Sequence, residues 1–383
     1  MPLLLYLFAL TNLVVGTGAF VFTGILVPVS ESLGVSVPAA GQVMTAYALA
    51  SAVIAPLLVM ATRRWTRKNA ILLALALFAL GAAASALATS LTMLLLARVV
   101  MGAASMFTAV AAGVAVAVVQ PAMRGRALSL TFIGMSLSYA LGVPLGTWLG
   151  FAFGWRTPLW LVTAACIAVA LLLAALLPAR IDAPGGSFRG LRQAASQGTV
   201  VRVWLRTLLC FIAIHSVFAY AGPVLQAINP LTPSGLALMM AGFGLAGAIG
   251  TVSGGWAADR FGPQRSLRVQ LSVLTAMMVC APLTQGHVAL TMAVFVAWAI
   301  AGFGMMAPQQ VLLASMAPQQ APLLMSLNAS MLYMGSALGA MAGGAFAIVV
   351  GFERLSWVGA PFALLALATL WLDARRPMPQ AVV

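Results

Sequence analysis

Long apolar runs with almost no polar interruption dominate this chain. No charged residue falls in residues 1–30, and uncharged stretches follow at 32–62, 69–97, 99–123, 127–155 and 157–179. Each is long enough for the roughly 20 residues a helix needs to cross hydrocarbon, so they predict six spans. The first stretch is too long for a signal-peptide core and has no basic residues before it, so it reads as a retained helix. A more polar segment rich in Gly, Ser, Gln and Arg follows from Arg180. Residues 207–258 are again uncharged and are interrupted at Asn229-Pro230 and Thr232-Pro233, which predicts two spans. Residues 269–352 break near Gln285-Gly286-His287 and near Ala317-Pro318-Gln319-Gln320, predicting three, and residues 355–372 supply the last.

The expectation is an all-α membrane protein with twelve transmembrane helices in two pseudo-symmetric six-helix bundles. The bundles are residues 1–179 and 203–383, joined by a cytoplasmic linker at 180–202. Apolar residues face both lipid and protein, so helical periodicity does not reveal which polar side chains point inward.

Composition agrees and excludes other classes. Of 383 residues, 63% are hydrophobic and 6% charged, whereas a soluble domain is about half apolar and a quarter charged. Soluble enzymes, secreted modules and nucleic-acid-binding domains fall away together, and no covalent chemistry, cofactor or metal is implied. The three cysteines, Cys166, Cys210 and Cys280, each lie in an apolar run with no CxxC or Cys/His cluster. They read as small buried hydrophobes.

The net charge of +14, from 19 Lys+Arg against 5 Asp+Glu, reads as topology. Basic residues gather in cytoplasmic loops. With both termini inside, the cytoplasmic set is Arg63, Arg64, Arg67, Lys68, Arg124, Arg126, Arg180, Arg189, Arg192, Arg202, Arg206, Arg260, Arg265, Arg268, Arg375 and Arg376. Only Arg156 and Arg354 fall outside, and Arg98 lies within a span. Trp65, Trp155, Trp160, Trp204 and Trp357 lie near span ends and fit an interfacial belt.

Several groups of residues carry candidate function. The loop after helix 8 reads Gly255-Trp-Ala-Ala-Asp259-Arg260-Phe-Gly262-Pro-Gln-Arg265. Its first glycine permits close helix approach, its acid can hold basic groups or helix N-termini, and Gly262 permits a tight turn. The equivalent loop after helix 2, Arg63-Arg-Trp-Thr-Arg67-Lys68, has Val59, Arg63 and Thr66 at those three positions. Prolines also match between halves: Pro28 is read as ending helix 1 and Pro223 as breaking helix 7.

Arg98 is the one strong charge read inside a span, where burial costs about 2.5–3.5 kcal/mol on insertion scales. It either faces the cavity with a partner or reaches the outer interface. Gly134, Gly142, Pro144 and Gly146 on helix 5 combine close packing with a pliable point. His215 near the middle of helix 7 is either a proton or substrate site or a satisfied polar residue. Asn328 on helix 11 serves either packing or a ligand. Asn12, Thr17, Tyr47, Tyr139, Tyr220, Gln226, Gln309, Gln310 and Tyr333 are further polar candidates.

These motifs resemble the major facilitator superfamily. The loop after helix 8 is similar to its G-x-x-x-D-R-x-G-x-[KR]-[KR] signature, and Arg98-Val-Val-Met-Gly102 resembles its helix-4 signature. Helix 5 resembles the antiporter signature of exporters. The segments Gly16-Thr-Gly-Ala-Phe20, Gly24-Ile-Leu-Val-Pro28, Ala40-Gly41-Gln42 and Gly154-Trp155-Arg156 resemble the twelve-helix drug/proton antiporters, the arabinose-efflux and chloramphenicol-efflux permeases.

The resemblance implies a monomeric bacterial inner-membrane exporter working by alternating access, with a small-molecule substrate and a proton as counter-ion. It implies an Asp259 latch for the outward-facing state and a proton-handling role for Arg98. One departure matters. The related permeases carry a glutamate in Gly-Thr-x-Glu-Phe on helix 1, where this chain has Ala19. All five acids, Glu31, Asp182, Asp259, Glu353 and Asp373, fall in or beside loops. The cavity therefore offers an organic cation no fixed anchor, and neutral or anionic substrates are expected.

Overall fold

A computed structural model describes residues 3–120, 123–178, 198–316 and 321–374. Arg180, Asp182, Arg189, Arg192, Arg375 and Arg376 lie outside the described residues. Among those described, every regular element is helical.

The first span is α1 (Leu3–Phe20) and α2 (Phe22–Leu33), interrupted at Val21. Pro28 does not end it, contrary to the sequence expectation. Its missing N–H would have served the Gly24 carbonyl, and the chain relaxes beside that residue, at Ile25 (φ −111°, ψ 16°), instead of stopping. Gly34 then ends α2 in the left-handed region (φ 63°). Next come α3 (Val37–Ala61), α4 (Arg67–Ala86) and α5 (Leu91–Ala103). Ser36, Thr66 and Ser90 cap them, each side-chain oxygen accepting a backbone N–H three residues on. The fourth span continues as α6 (Met106–Ala117). The fifth is α7 (Arg124–Leu137), a π-turn (Ser138–Gly142) and α8 (Val143–Phe153). Pro144 cannot donate to the carbonyl four residues back, Ala140, and the widened turn there accommodates that loss. The sixth is α9 (Thr157–Leu176).

The seventh span begins at Gly198, so residues 198–202, read as linker, are helical. It consists of α10 (Gly198–Phe218) and α11 (Ala221–Ile228). Pro223 lies in the first turn of α11, where a proline costs no hydrogen bond, so the break precedes it at Ala219–Tyr220. Then follow α12 (Pro233–Phe261), α13 (Pro263–Cys280), α14 (Val288–Gly304) with α15 (Met306–Met316), α16 (Ala321–Val350) and α17 (Ser356–Ala374). Eleven helices among the described residues have the length and apolarity to cross a bilayer. The twelfth, α17, is apolar over Ser356–Trp371.

The chain forms two compact units. One holds Met1–Gly185, Ala221–Pro223 and Leu231–Gly244; the other holds Gly186–Tyr220, Val224–Pro230 and Leu245–Val383. In the first, α1 lies directly on α7 and α8. A Cβ at Gly134 would fall on the Ala9 carbonyl, one at Gly142 on the Thr17 side chain and one at Gly146 on Val21. Asn12 Nδ2 donates across the same seam to the Thr131 carbonyl (2.8 Å). Gly102 of α5 likewise sits against the Tyr47 carbonyl of α3, and α4 packs on α9.

The second unit repeats these pairings six spans later. Gly335, Gly339 and Gly343 of α16 sit on the Leu208, Ile212 and Ser216 carbonyls of α10. Gly250 and Gly254 of α12 sit on the Ile300 and Gly304 carbonyls of α14, and α13 packs on α17.

Two placements correct the sequence reading. Arg206, counted with the cytoplasmic loop residues, is fully buried within α10. Trp155 and Trp204 are buried rather than interfacial, and Trp204 Nε1 donates to the Leu324 carbonyl (3.3 Å). Trp65, Trp160 and Trp357 are exposed.

Candidate functional site

The break in the first span creates a ready-made acceptor site. The last carbonyls of α1 lack helical partners because the ladder stops there. Arg98, in the second turn of α5, reaches them fully buried. Its Nη1 donates to the Gly18 carbonyl (2.8 Å), Nη2 to Ala19 (2.6 Å) and Nε to Val43 of α3 (3.2 Å). The guanidinium carbon lies 4.8 Å from the Phe22 ring centre and 4.6 Å from that of Tyr47. Carbonyl dipoles and ring faces thus surround the charge, and it lies inside the first unit, not at an interface.

Other candidates of the first unit serve its packing seam. Besides Asn12, Thr17 returns its hydroxyl to the Leu13 carbonyl (2.8 Å). Tyr139, in the π-turn, sets its ring 4.9 Å from that of Phe20. Gly134, Gly142 and Gly146 form the surface on which the first span lies, and Pro144 is buried between the last two in sequence.

Two polar nodes of the second unit contain sequence candidates. In one, the Thr207 hydroxyl donates to Asn328 Oδ1 (2.6 Å) and accepts from Gln309 Nε2 (2.7 Å). Gln309 also donates to the Val203 carbonyl (3.1 Å), while its Oε1 is buried with no hydrogen-bond partner. Three spans, α10, α15 and α16, meet here. Adjacent to Thr207 in sequence, Arg206 donates from Nε to Thr369 Oγ1 of α17 (2.8 Å).

In the other node, His215 Nδ1 lies 3.3 Å from Ser336 Oγ, whose hydroxyl is also 2.9 Å from the Leu332 carbonyl. Phe211 stacks on the imidazole at 5.5 Å and Phe218 meets it edge-on at 5.7 Å. Tyr220, fully buried, donates to the Ala340 carbonyl (3.0 Å), and Tyr333 is half-buried on α16. An apolar cavity lined by Val217, Met278, Phe295 and Trp298 stands apart from both nodes. At about 10 Å³ it holds no more than a single water.

The loop residues sit as their types require. Gly262 turns at φ 82° between α12 and α13. Asp259, Arg260 and Arg265 are exposed, Gly255 is half-buried, and both guanidiniums lie 6.0 Å from the Phe261 ring.

Of the sequence candidates, the structure brings Asn328 together with Gln309. It places Arg98, Asn12, Thr17 and Tyr139 in one unit and His215, Tyr220, Asn328 and Tyr333 in the other. Sequence reasoning missed Thr207, an ordinary helix residue by type, and Arg206, whose neighbouring basic Arg202 made it look like loop.

Polar residues packed between membrane-length helices, with the same helix pairings repeated in the two halves, define a polytopic membrane protein built as an internal repeat. The chain belongs to the Major Facilitator Superfamily, whose profile matches residues 8–286 and 204–382. It is 31% identical over 374 residues to the inner membrane transport protein YdhP of Escherichia coli O157:H7, covering 96% of this chain and 95% of that protein. To the uncharacterized MFS-type transporter YbcL of Bacillus subtilis strain 168 it is 26% identical, covering 95% and 93%.

Among solved structures, an inward-facing, occupied bacterial homolog of the human lysosomal transporter Spinster superposes with a TM-score of 0.81. That match is 20% identical and covers 97% of this chain and 96% of that one. A D-xylose–proton symporter superposes at 0.80 with 16% identity, covering 96% of both chains. These likenesses establish the fold. The protein is a transporter and not an enzyme.

Proposed function

We propose that this protein exports a small neutral or anionic organic molecule across a bacterial inner membrane, with both termini cytoplasmic. The protein acts as a monomer by alternating access of its two six-helix bundles, the first at 1–179 and the second opening with the seventh span at Gly198. The observation that carries the export direction is the seam between α1 and α7–α8. Gly134, Gly142 and Gly146, which together with Pro144 resemble the exporter signature, are the residues that let the fifth span lie against the first. In this reading Gly255, Asp259, Arg260, Gly262 and Arg265 form the latch. The E. coli relative's description as an inner membrane transport protein supports the location.

Proton antiport is the coupling we favour, with His215 as the carrier. It is a buried imidazole held between two aromatic rings and a serine, and imidazole is a side chain that serves as a proton shuttle. Uncoupled facilitation of a neutral solute is the second reading. A specific observation supports it: Arg98 is bonded to the backbone of Ala19, the position of the permeases' glutamate. Its charge is accommodated without a carboxylate.

Drugs, sugars and amino-acid-like compounds are first screened for thermal stabilisation at two pH values. A stabilising compound is then followed by counterflow in proteoliposomes with and without an imposed pH gradient. Antiport predicts accumulation with the gradient and its loss in His215→Ala. Flux indifferent to the gradient and unchanged in that variant overturns antiport in favour of facilitation. No flux at all removes the transport reading.

A further inference from the structure

The outer half of the seventh span ends in a buried polar cluster apart from the Thr207 and His215 nodes. α11 stops at Ile228, and Asn229 turns into extended backbone (φ −142°, ψ 129°). Asn229 Nδ2 donates to Thr291 Oγ1 in the first turn of α14 (2.7 Å). Thr291 Oγ1 lies 2.8 Å from Thr284 Oγ1 and within reach of the Thr284 and His287 carbonyls (3.3 and 3.2 Å). Thr284 in turn donates to the Ala281 carbonyl (2.7 Å). A chain in which Asn229 donates to Thr291, Thr291 to Thr284 and Thr284 to backbone satisfies both hydroxyls. None of the three side chains is more than 2% exposed, and all three belong to the second unit.

α11 needs such a tie. Eight residues are too few to hold a helix by themselves, and among the described residues α11 shares no long seam with another helix. Its first turn, grouped with the first unit, meets the first span at Gly222, where a Cβ would lie 2.9 Å from the Thr23 carbonyl. Behind that turn the span is broken at Ala219–Tyr220, with Tyr220 at φ −115°, ψ 25°, which gives α11 a pivot against α10. The matching place in the first unit is built differently. There Arg156, half-buried, joins Ser32 at the end of α2 to the Ala88 carbonyl between α4 and α5 (3.3 and 2.8 Å). But α2 is also held along its length by α3 and α8. In the second unit the polar cluster fixes the outer end.

The cluster also lies where it can open. Pro230, Gln285, Gly286 and His287 beside it are exposed, so water reaches its rim. When Asn229 leaves Thr291, water takes over the same hydrogen bonds, and the exchange costs only the small net value of each bond.

We propose that Asn229, Thr284 and Thr291 form a clasp that holds α11 closed against the α13–α14 turn, and that α11 is a gate swinging about Ala219–Tyr220 when the clasp opens. Its placing at the outer face rests on the cytoplasmic location of both termini. Its opening depends on neither orientation, substrate nor coupling.

Hydrogen exchange followed by mass spectrometry on the purified full-length protein tests this. Thr291→Val keeps the side-chain shape and removes the hydroxyl. Amides of 221–229 are expected to exchange about fivefold faster in this variant, the equivalent of one net hydrogen bond, while those of 207–218 keep the wild-type rate. Asn229→Ala has the same effect, the double variant exchanges no faster than the faster single one, and Thr291→Ser keeps the wild-type rate. Thr275→Val is the control, since that buried α13 hydroxyl returns to the Leu271 carbonyl (2.8 Å) outside the clasp. Melting temperature checks that each variant is folded. If Thr291→Val does not fold, Asn229→Ala with Thr291→Ser carries the comparison.

Unchanged exchange over 221–229 in Thr291→Val or in Asn229→Ala overturns the proposal. So does an equal rise over 207–218, which is general loosening, additive effects in the double variant, or a rise in Thr275→Val as large as that in Thr291→Val.

Discussion

Arg98 carries its charge into the first unit without an acid because the backbone supplies the opposing dipoles. Three carbonyls accept from three different nitrogens of one guanidinium. A planar fork meets such a set and a lysine ammonium does not. Arg98→Met leaves buried acceptors without donors, at about 1–3 kcal/mol for each that finds no substitute. It is therefore expected to destabilise the protein by about 2–4 kcal/mol, with Arg98→Lys in between. Thermal unfolding followed by a thiol-reactive dye checks this, since Cys166 and Cys210 are free and buried. Thr207 and Gln309 give a second comparison. Thr207→Val removes the partner of both Asn328 and Gln309. Gln309→Met removes two donated bonds together with an acceptor that already lacks a partner. Thr207→Val is expected to cost more, by about 1 kcal/mol, in the same unfolding measurement.

The seams between spans belong to the scale of elements. Small residues let membrane helices approach until backbone touches backbone, and this chain uses them where the first span meets the fifth and the seventh meets the eleventh. The sequence displays 36 glycines and does not rank them. Position in the seam decides: Gly134 faces the Ala9 carbonyl at contact, whereas nothing lies within 4 Å of a Cβ built at Gly113. Gly134→Ala is therefore expected to destabilise by roughly 1–3 kcal/mol through overpacking. Gly113→Ala is expected to be neutral or to stabilise by up to about 1 kcal/mol through helix propensity. Equal effects in unfolding experiments would argue against the seam. Pro144→Ala restores a donor to the chain just after the π-turn. It is expected to tighten Ser138–Gly142 toward an α-helix, read as slower amide hydrogen exchange across that segment.

Across the whole molecule, breaks recur in the first, fourth, seventh and tenth spans, at Val21, Ala104–Ser105, Ala219–Tyr220 and Met305. The spacing of three, which puts two breaks at matching places in each half, expresses the internal repeat more clearly than any sequence match between the loops. Counting spans with both termini inside puts the α12–α13 loop on the cytoplasmic side and the α16–α17 turn outside. In a Cys280→Ser background, Glu353→Cys is expected to react with an impermeant maleimide on intact cells and Asp259→Cys only after permeabilisation. The reverse pattern would invert the topology.

The sequence by itself determined the class, the spans and the position of the Asp259 loop. Uncharged runs of more than 20 residues have only a bilayer in which to fold, and a helix is the way a single segment satisfies its own backbone there. Tertiary structure alone decided which polar residues meet. Arg206 reads as a loop cation and is buried against Thr369; Thr207 reads as nothing in particular and links Asn328 to Gln309. In a helix surrounded by lipid on one side and protein on the other, both faces are apolar. The direction of a side chain is therefore set by the neighbouring helices and leaves no periodic trace in the chain.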